Sequence, residues 1–535
     1  MSPCSASVGT LPYVRKWPSV QTSQNLQIPG KYMSNHLFDA FANAITAPQA
    51  VFIETQDGGV WTFADALALS ARLANVLVER GVKPGDRVAV QVEKSAEALV
   101  LYLACLRCGA VYLPLNTGYT VAELDYFFGD ARPALVVAKP QDADKLAAVV
   151  SACGAVLETL DDTGGGTLMV RAQEAGSTFI DVARGPDDLA AILYTSGTTG
   201  RSKGAMLSHD NLLSNARTLK DSWRFCAADR LIHALPIFHT HGLFVASNVT
   251  LISGASMFLL PKFDLERIVA LLPRATVLMG VPTFYVRLCE DARVNRESTA
   301  AMRLFISGSA PLLSETHRTF REKTGHAILE RYGMTETNMN TSNPYDGDRI
   351  AGTVGPALPG VVVRVVDMAT GAALPAGETG MLEVKGPNVF QGYWNMPEKT
   401  KAEFRDDGFF ITGDLGIIDE RGYVHIVGRG KDLVISGGYN IYPKEVETEL
   451  DQIDGVFESA VFGVPHRDFG EGVTAAVVAK PGASLVEKDM LAMLGERLAR
   501  YKLPKRILIV DELPRNTMGK VQKNLLRNLH QHLYD

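Results

Sequence analysis

The 535-residue chain reads as an α/β protein, with a large N-terminal domain of helix-covered β-sheets and a small C-terminal α+β domain. Three observations predict this. The length exceeds the roughly 100 to 200 residues of a typical domain. Between Asp86 and Lys139, short apolar runs alternate with helical ones, as in a parallel sheet covered by helices. Past about Asp432 the order changes to two long strand-like runs and then a helix, a compact body of about 100 residues.

"DRVAVQV" has strand character, and "SAEALVLYLACLRCG" reads as a helix with Ser95 as N-cap and Gly109 at its end. "AVYLPLN" is again a strand. The helix "TVAELDYFFGD" opens on the capping box Thr120-x-x-Glu123, and the strand "ALVVAK" follows. Further on, "ATVLMGV" precedes Pro282, well placed in the first turn of the helix "PTFYVRLCEDA", and "MRLFISGS" is another buried strand. In the last hundred residues "GVFESAVFGVPH" and "VTAAVVAK" are strands and "EKDMLAMLGERLARY" a helix. "VGRGKDLV" is the expected hinge between the two domains, and no sequence repeat is present.

Composition narrows the function. Hydrophobic residues make up 46%, charged ones 21%, and the net charge is −6. That balance supplies no broad basic field, so nucleic acid is not an expected partner. Six cysteines in so long a chain are not a disulfide framework, and a reducing cytosol suits them. Cys105 and Cys108 form a lone C-x-x-C that reads as helix packing. The apolar stretch from Gly242 to Pro261 is interrupted by "ISGAS" and diluted by Ser247, Asn248 and Thr250, so no membrane span is expected. Before Asp39 there is no acidic residue, but Arg15, Lys16 and Lys31 are present, a bias like that of a transit peptide. Met33 begins "MSNHLFDAF", a natural start. Residues 1–32 are therefore a disordered tail or a mis-called start, and the compartment is cytoplasmic unless they are a cleaved organellar leader.

The segment "YTSGTTGRSKG" (Tyr194 to Gly204) packs hydroxyls, glycines and a lysine behind the strand "LAAILYT". A strand entering such a loop, followed by the helix "HDNLLSNARTL", would gather backbone N–H groups around a phosphate, with Lys203 adding a mobile positive charge. The P-loop template fails, because Lys203 precedes Gly204 and no GKS or GKT is present. Spacing alone leaves a phosphate loop and a flexible linker as alternatives.

This loop closely resembles the signature of the adenylate-forming superfamily: acyl-CoA synthetases, carrier-protein adenylation domains and luciferases. "RYGMTET", "DGFFITGDLG", "GRGKDLVISGGYNIYPKEVE" and "PRNTMGK" follow in the family's order, and the likeness spans residues 33–535. It implies an ATP- and acid-binding domain over 33–430 and a mobile catalytic-lysine domain over 431–535. It further implies that Thr195, Ser196, Gly197, Thr198, Thr199, Gly200 and Lys203 cradle the ATP phosphates, with Mg²⁺ on Glu336 and the α-phosphate on Thr335. AMP would lie among Gly308, Ser309, Glu330, Arg331, Tyr332 and Gly333, with its ribose on Asp414 and Arg429 and its adenine near Tyr332. Lys520 would be the catalytic cation of the first half-reaction and His239 the gate beside the reacting carboxylate. Lys431 would be the hinge, and Gly437, Gly438 and Tyr439 would border the arm of coenzyme A.

In that architecture Arg287 falls on a helix beside the acid pocket. A buried guanidinium there would want a carboxylate partner, with His241 and Ser309 helping, which implies a diacid. "LPIFHTHGLFVASN", "ISGSAPLL" and "GPNVFQGYW" resemble malonyl-CoA synthetases. The resemblance therefore implies malonate, with methylmalonate as a second acid, and ATP and coenzyme A as co-substrates. The alternatives are another small or medium acid, or loading of a separate carrier protein. With the chain ending at Asp535, no fused carrier domain is expected.

Overall fold

The computed structural model describes residues 35–195, 202–436, 439–498, 500–516 and 519–535. Expectations for residues 1–32, Ser196, Gly197, Thr198, Thr199, Gly200, Gly437 and Gly438 lie outside the described residues. Tyr439 is described only as part of the strand Tyr439–Ile441.

Two large sheets form the body of the N-terminal domain. The first runs Gly392–Tyr393, Lys203–Ser208, Leu189–Thr195, Val111–Pro114, Arg87–Gln91, Leu135–Ala138, Val156–Thr159. Its strands from Leu189–Thr195 to Val156–Thr159 are parallel, and they are apolar on both faces because helices cover both. The helix Ala96–Cys108 carries this furthest, with every residue buried, Ser95 capping its start and Gly109 left-handed at its end. Cys105 and Cys108 are both free and lie in that core, where burial pushes the Cys108 thiol up to about 11. They are packing residues, as expected.

The second sheet has eight strands. Five of them carry the site: Ser256–Leu259, Arg230–His233, Val277–Gly280, Leu304–Ser307 and Leu329–Met334, all parallel. Their C-terminal ends open on one crevice, where open α/β sheets bind ligands. A four-stranded antiparallel sheet containing Phe410–Ile418 and Val424–Arg429 closes one side of the crevice. The C-terminal body is a five-stranded sheet built around the long pair Val456–His466 and Gly470–Ala479, with its own apolar core. Its helix is Glu487–Gly495, shorter than the sequence suggested.

One expectation is corrected. The glycine and threonine loop does not run from strand to helix. Lys203 begins a return strand, Lys203–Ser208, paired antiparallel with Leu189–Thr195 so that Thr195 faces Lys203. The helix follows only at His209, and its N-terminus is already satisfied by a capping box between Ser208 and Asn211. A helix dipole therefore contributes nothing at the loop, and Lys203 supplies its positive charge.

Candidate active site

The candidate phosphate corner is a network of paired charges. Lys203 Nζ lies 3.3 Å from Glu403 Oε1 and 4.0 Å from the centre of the Tyr393 ring. The Tyr393 hydroxyl meets two carboxylates, Glu403 at 2.7 Å and Glu336 at 3.1 Å. Thr195 Oγ1 donates to Glu336 at 3.4 Å. Glu336 is buried, and burial raises its pKa above the usual carboxylate range. Among the described residues no three His, Cys, Asp or Glu side chains converge into a metal cage. One buried carboxylate with a neighbouring hydroxyl suits Mg²⁺ that arrives on nucleotide phosphates and keeps most of its other ligands from them and from water.

The candidate ribose corner is also paired. Asp414 is 6% exposed, accepts the Tyr332 hydroxyl at 2.6 Å and faces Arg429 Nε at 3.2 Å. Burial, with the Asp414 charge behind it, raises the Tyr332 pKa, so the phenol stays protonated as a donor. Glu330 accepts from the Gly352 amide at 3.4 Å, and burial pushes its pKa up to about 8. Gly333 has no room for a side chain, since a Cβ would sit 1.9 Å from the Asn338 carbonyl oxygen. Thr335 follows at half-buried depth, directly before Glu336.

Lys520 reaches this crevice from the C-terminal domain. Its loop is tied by Asn516, whose amide donates to the Lys520 carbonyl at 2.9 Å and whose Oδ1 accepts from the Lys520 amide at 2.9 Å. The next contact is across the domain boundary: a Cβ on Gly519 would lie 3.5 Å from Thr283 Cγ2, on the helix Pro282–Glu290. Burial lowers the Lys520 pKa to about 8, with Arg429 reinforcing that and Asp414 and Asp432 opposing it. Lys431 sits in the short 3₁₀ turn Gly430–Asp432 and is among the charges that Lys520 feels. Lys480 and Glu315, 3.3 Å apart, join the two bodies at the rim.

The candidate acid corner is different in kind. Arg331 is 3% exposed, and its Nε and Nη2 are buried without a hydrogen-bond partner. The guanidinium lies flat on the backbone of Gly308, where a Cβ would stand 2.3 Å from its central carbon. Only glycine permits that approach. Burial lowers the Arg331 pKa to about 9, which still leaves it charged at neutral pH. His241 Nδ1 is 3.2 Å from Ser309 Oγ, and its Nε2 is buried and unpartnered. Ser309 holds a left-handed φ of +72°, a strained conformation for serine of the kind stored at functional sites. His239 is half-buried, its Nε2 buried and without a hydrogen-bond partner among the described residues, and desolvation takes its pKa to about 4. Burial, then Arg331, keeps His241 neutral as well.

Arg287 is not in this corner. It is exposed, with its guanidinium 5.2 Å from the centre of the Phe263 ring. Its helix buries Phe284, Tyr285 and Leu288, and that stripe leaves position 287 on the outer face. The buried cation expected at Arg287 is found instead at Arg331, which the sequence reading had placed with the nucleotide. Arg331 is the third residue of the strand Leu329–Met334, and the glycine at 308 on the adjoining segment leaves its guanidinium space.

The class follows from comparison. The chain belongs to the AMP-binding enzyme family, which matches residues 40–394, and the AMP-binding enzyme C-terminal domain matches residues 445–520. Among solved structures, ATP-bound MatB from Rhodopseudomonas palustris is 63% identical, covers 94% of this chain and 100% of that one, and superposes with a TM-score of 0.93. The apo form of MatB, at the same identity, gives 0.83, so the domain arrangement here is nearer the ATP-bound form. Among curated relatives, a malonate–CoA ligase from Arabidopsis thaliana is 33% identical over 93% of this chain and 91% of its own length. A feruloyl-CoA synthase from an Amycolatopsis species is 36% identical over 88% and 94%. Overall identity to curated relatives thus does not select the acid, and the pocket must.

Proposed function

We propose that this chain joins malonate to coenzyme A, consuming ATP and passing through malonyl adenylate, with AMP and pyrophosphate released. It is an AMP-forming acid–thiol ligase. One carboxylate oxygen of malonate attacks the α-phosphorus of ATP and pyrophosphate departs. The coenzyme A thiol then attacks the acyl carbon and AMP departs.

The observation that carries malonate is Arg331, a buried cation with no anionic partner among the described residues, beside the neutral His241. A guanidinium so placed wants a carboxylate, and a diacid brings a second one that does not react. The curated malonate–CoA ligases support the same acid. Arg331, His241 and Ser309 would hold the far carboxylate, and His239 would border the reacting one. Lys203, Thr195 and the loop between them would hold the β- and γ-phosphates, with Mg²⁺ on Glu336 sharing their charge. Lys203 would exchange Glu403 for phosphate. Thr335 would contact the α-phosphate, and Asp414 with Arg429 the ribose. Lys520 would neutralise charge building between the carboxylate and the α-phosphorus.

The domains would meet at Lys431, with residues 33–430 binding ATP and acid and residues 431–535 turning after the first step. That turn would withdraw Lys520 and bring Gly437, Gly438 and Tyr439 to the coenzyme A arm. Among the described residues no helix is long and apolar enough to cross a membrane. The cytoplasm is the compartment if translation starts at Met33, and an organelle if residues 1–32 are a leader; a bovine malonate–CoA ligase relative is named as mitochondrial.

The test is formation of free coenzyme A thioester from malonate, acetate, succinate and octanoate. Malonate should lead by at least about tenfold in kcat/KM. A lead by acetate or octanoate rejects the diacid reading and keeps the ligase.

A further inference from the structure

Beneath the acid corner lies a buried lysine that the reaction just described does not use. Lys94 follows the strand Arg87–Gln91 of the first sheet and is 8% exposed. Its Nζ donates to His233 Nδ1 at 2.9 Å, to the His233 carbonyl at 2.8 Å and to the Leu235 carbonyl at 2.8 Å. An ammonium has three hydrogens, so these three acceptors satisfy it without any carboxylate. His233 ends the strand Arg230–His233, which belongs to the second sheet. One lysine thus ties the two sheets at the crevice.

The tie continues toward the acid. With Nδ1 accepting from Lys94, His233 carries its proton on Nε2, which faces the Gly242 carbonyl at 2.9 Å and Ser247 Oγ at 3.1 Å. Ser247 Oγ donates to the same Gly242 carbonyl at 2.9 Å. Burial, and then the Lys94 charge, keeps His233 neutral, which agrees with this proton placement. Gly242 and Ser247 lie in the π-helix His241–Ser247, whose first residue is His241. A π-helix is rare, is frequent at functional sites, and needs support because its turn is wider than an α-turn. The support is close-fitting, since a Cβ on Gly242 would fall 2.0 Å from the Pro236 carbonyl oxygen. Leu235, which Lys94 also holds, precedes the segment that bears His239.

We propose that Lys94, acting through His233, is a positioning residue for the acid pocket: it fixes the π-turn on which His241 stands and so sets the fit of the acid's far end. The role rests on the assignment of the acid corner, so the acid used in its test is the best substrate found by the four-acid comparison. A wrong choice of malonate then fails there and leaves this test intact.

The variants are Lys94→Met, which keeps the stem and removes the donors, and Ser247→Ala, which weakens only the far end of the chain. KM for the acid, KM for ATP, kcat and thermal midpoint are measured on each full-length protein. Lys94→Met should raise KM for the acid at least about tenfold while KM for ATP stays within about twofold; Ser247→Ala should raise it about threefold. A residue that serves only folding would lower the thermal midpoint and leave both KM values alone. The proposal is overturned if KM for the acid stays within twofold in both variants, or if both KM values rise together. Should Lys94→Met not fold, Ser247→Ala decides by the same two criteria.

Discussion

The two ends of the crevice treat charge in opposite ways. At the candidate nucleotide end two cations already have anions: Lys203 has Glu403, and Arg429 has Asp414. At the Arg331 end that guanidinium has no anion among the described residues, and the titratable groups that feel it are the neutral His241 and the Tyr285 phenol. A paired cation can exchange a protein carboxylate for phosphate with little change in net desolvation. An unpaired buried one leaves a standing penalty that only an incoming anion relieves, so it discriminates among ligands far more strongly. Under the proposed assignment, the first end takes the nucleotide and the Arg331 end selects the acid.

Removing the charge that links the two ends should have the largest effect. Lys520→Ala is expected to lower adenylate formation, followed as pyrophosphate release, by about 10³-fold or more, within the range of preorganised charge stabilisation. Coenzyme A thioester formation from supplied malonyl adenylate should stay within about threefold. Equal loss in both halves would mean that Lys520 acts on the fold or on both chemistries.

A smaller, graded effect should come from pH. With a Lys520 pKa near 8, the protonated form dominates at pH 7 and is lost as pH rises through 8. Adenylation should therefore fall about tenfold between pH 7 and pH 9, in proportion to the protonated fraction. The thioester half-reaction should not fall with it, since the proposed role of Lys520 is confined to adenylation. A flat adenylation profile would show either that the lysine keeps its ordinary pKa or that its proton is not needed.

Much of this was legible in the chain. Helix ends such as Ser95, Thr120 and Gly109 were readable because caps are local chemistry, and ordered motifs located Asp414, Lys203 and Lys520. Two features were not. The loop at Lys203 turns back into a hairpin, and that depends on pairing with Leu189–Thr195 rather than on local composition. The buried arginine lies three elements further along than Arg287, which borders an apolar helical stripe, whereas Arg331 turns inward only through the vacancy that Gly308 leaves on a neighbouring strand end. The Lys94 tie was invisible for the same reason: its partners are about 140 residues away in sequence.

The most direct measurement is kcat/KM for malonate and for acetate in Arg331→Met beside Arg287→Ala. Arg331→Met should lose roughly 10²- to 10³-fold on malonate, the scale of a broken buried ion pair at about 3–5 kcal/mol, and far less on acetate. Arg287→Ala should leave both acids within about threefold. Selective loss of malonate in Arg287→Ala, with Arg331→Met unaffected, would contradict the assignment of the buried cation and the diacid reading built on it.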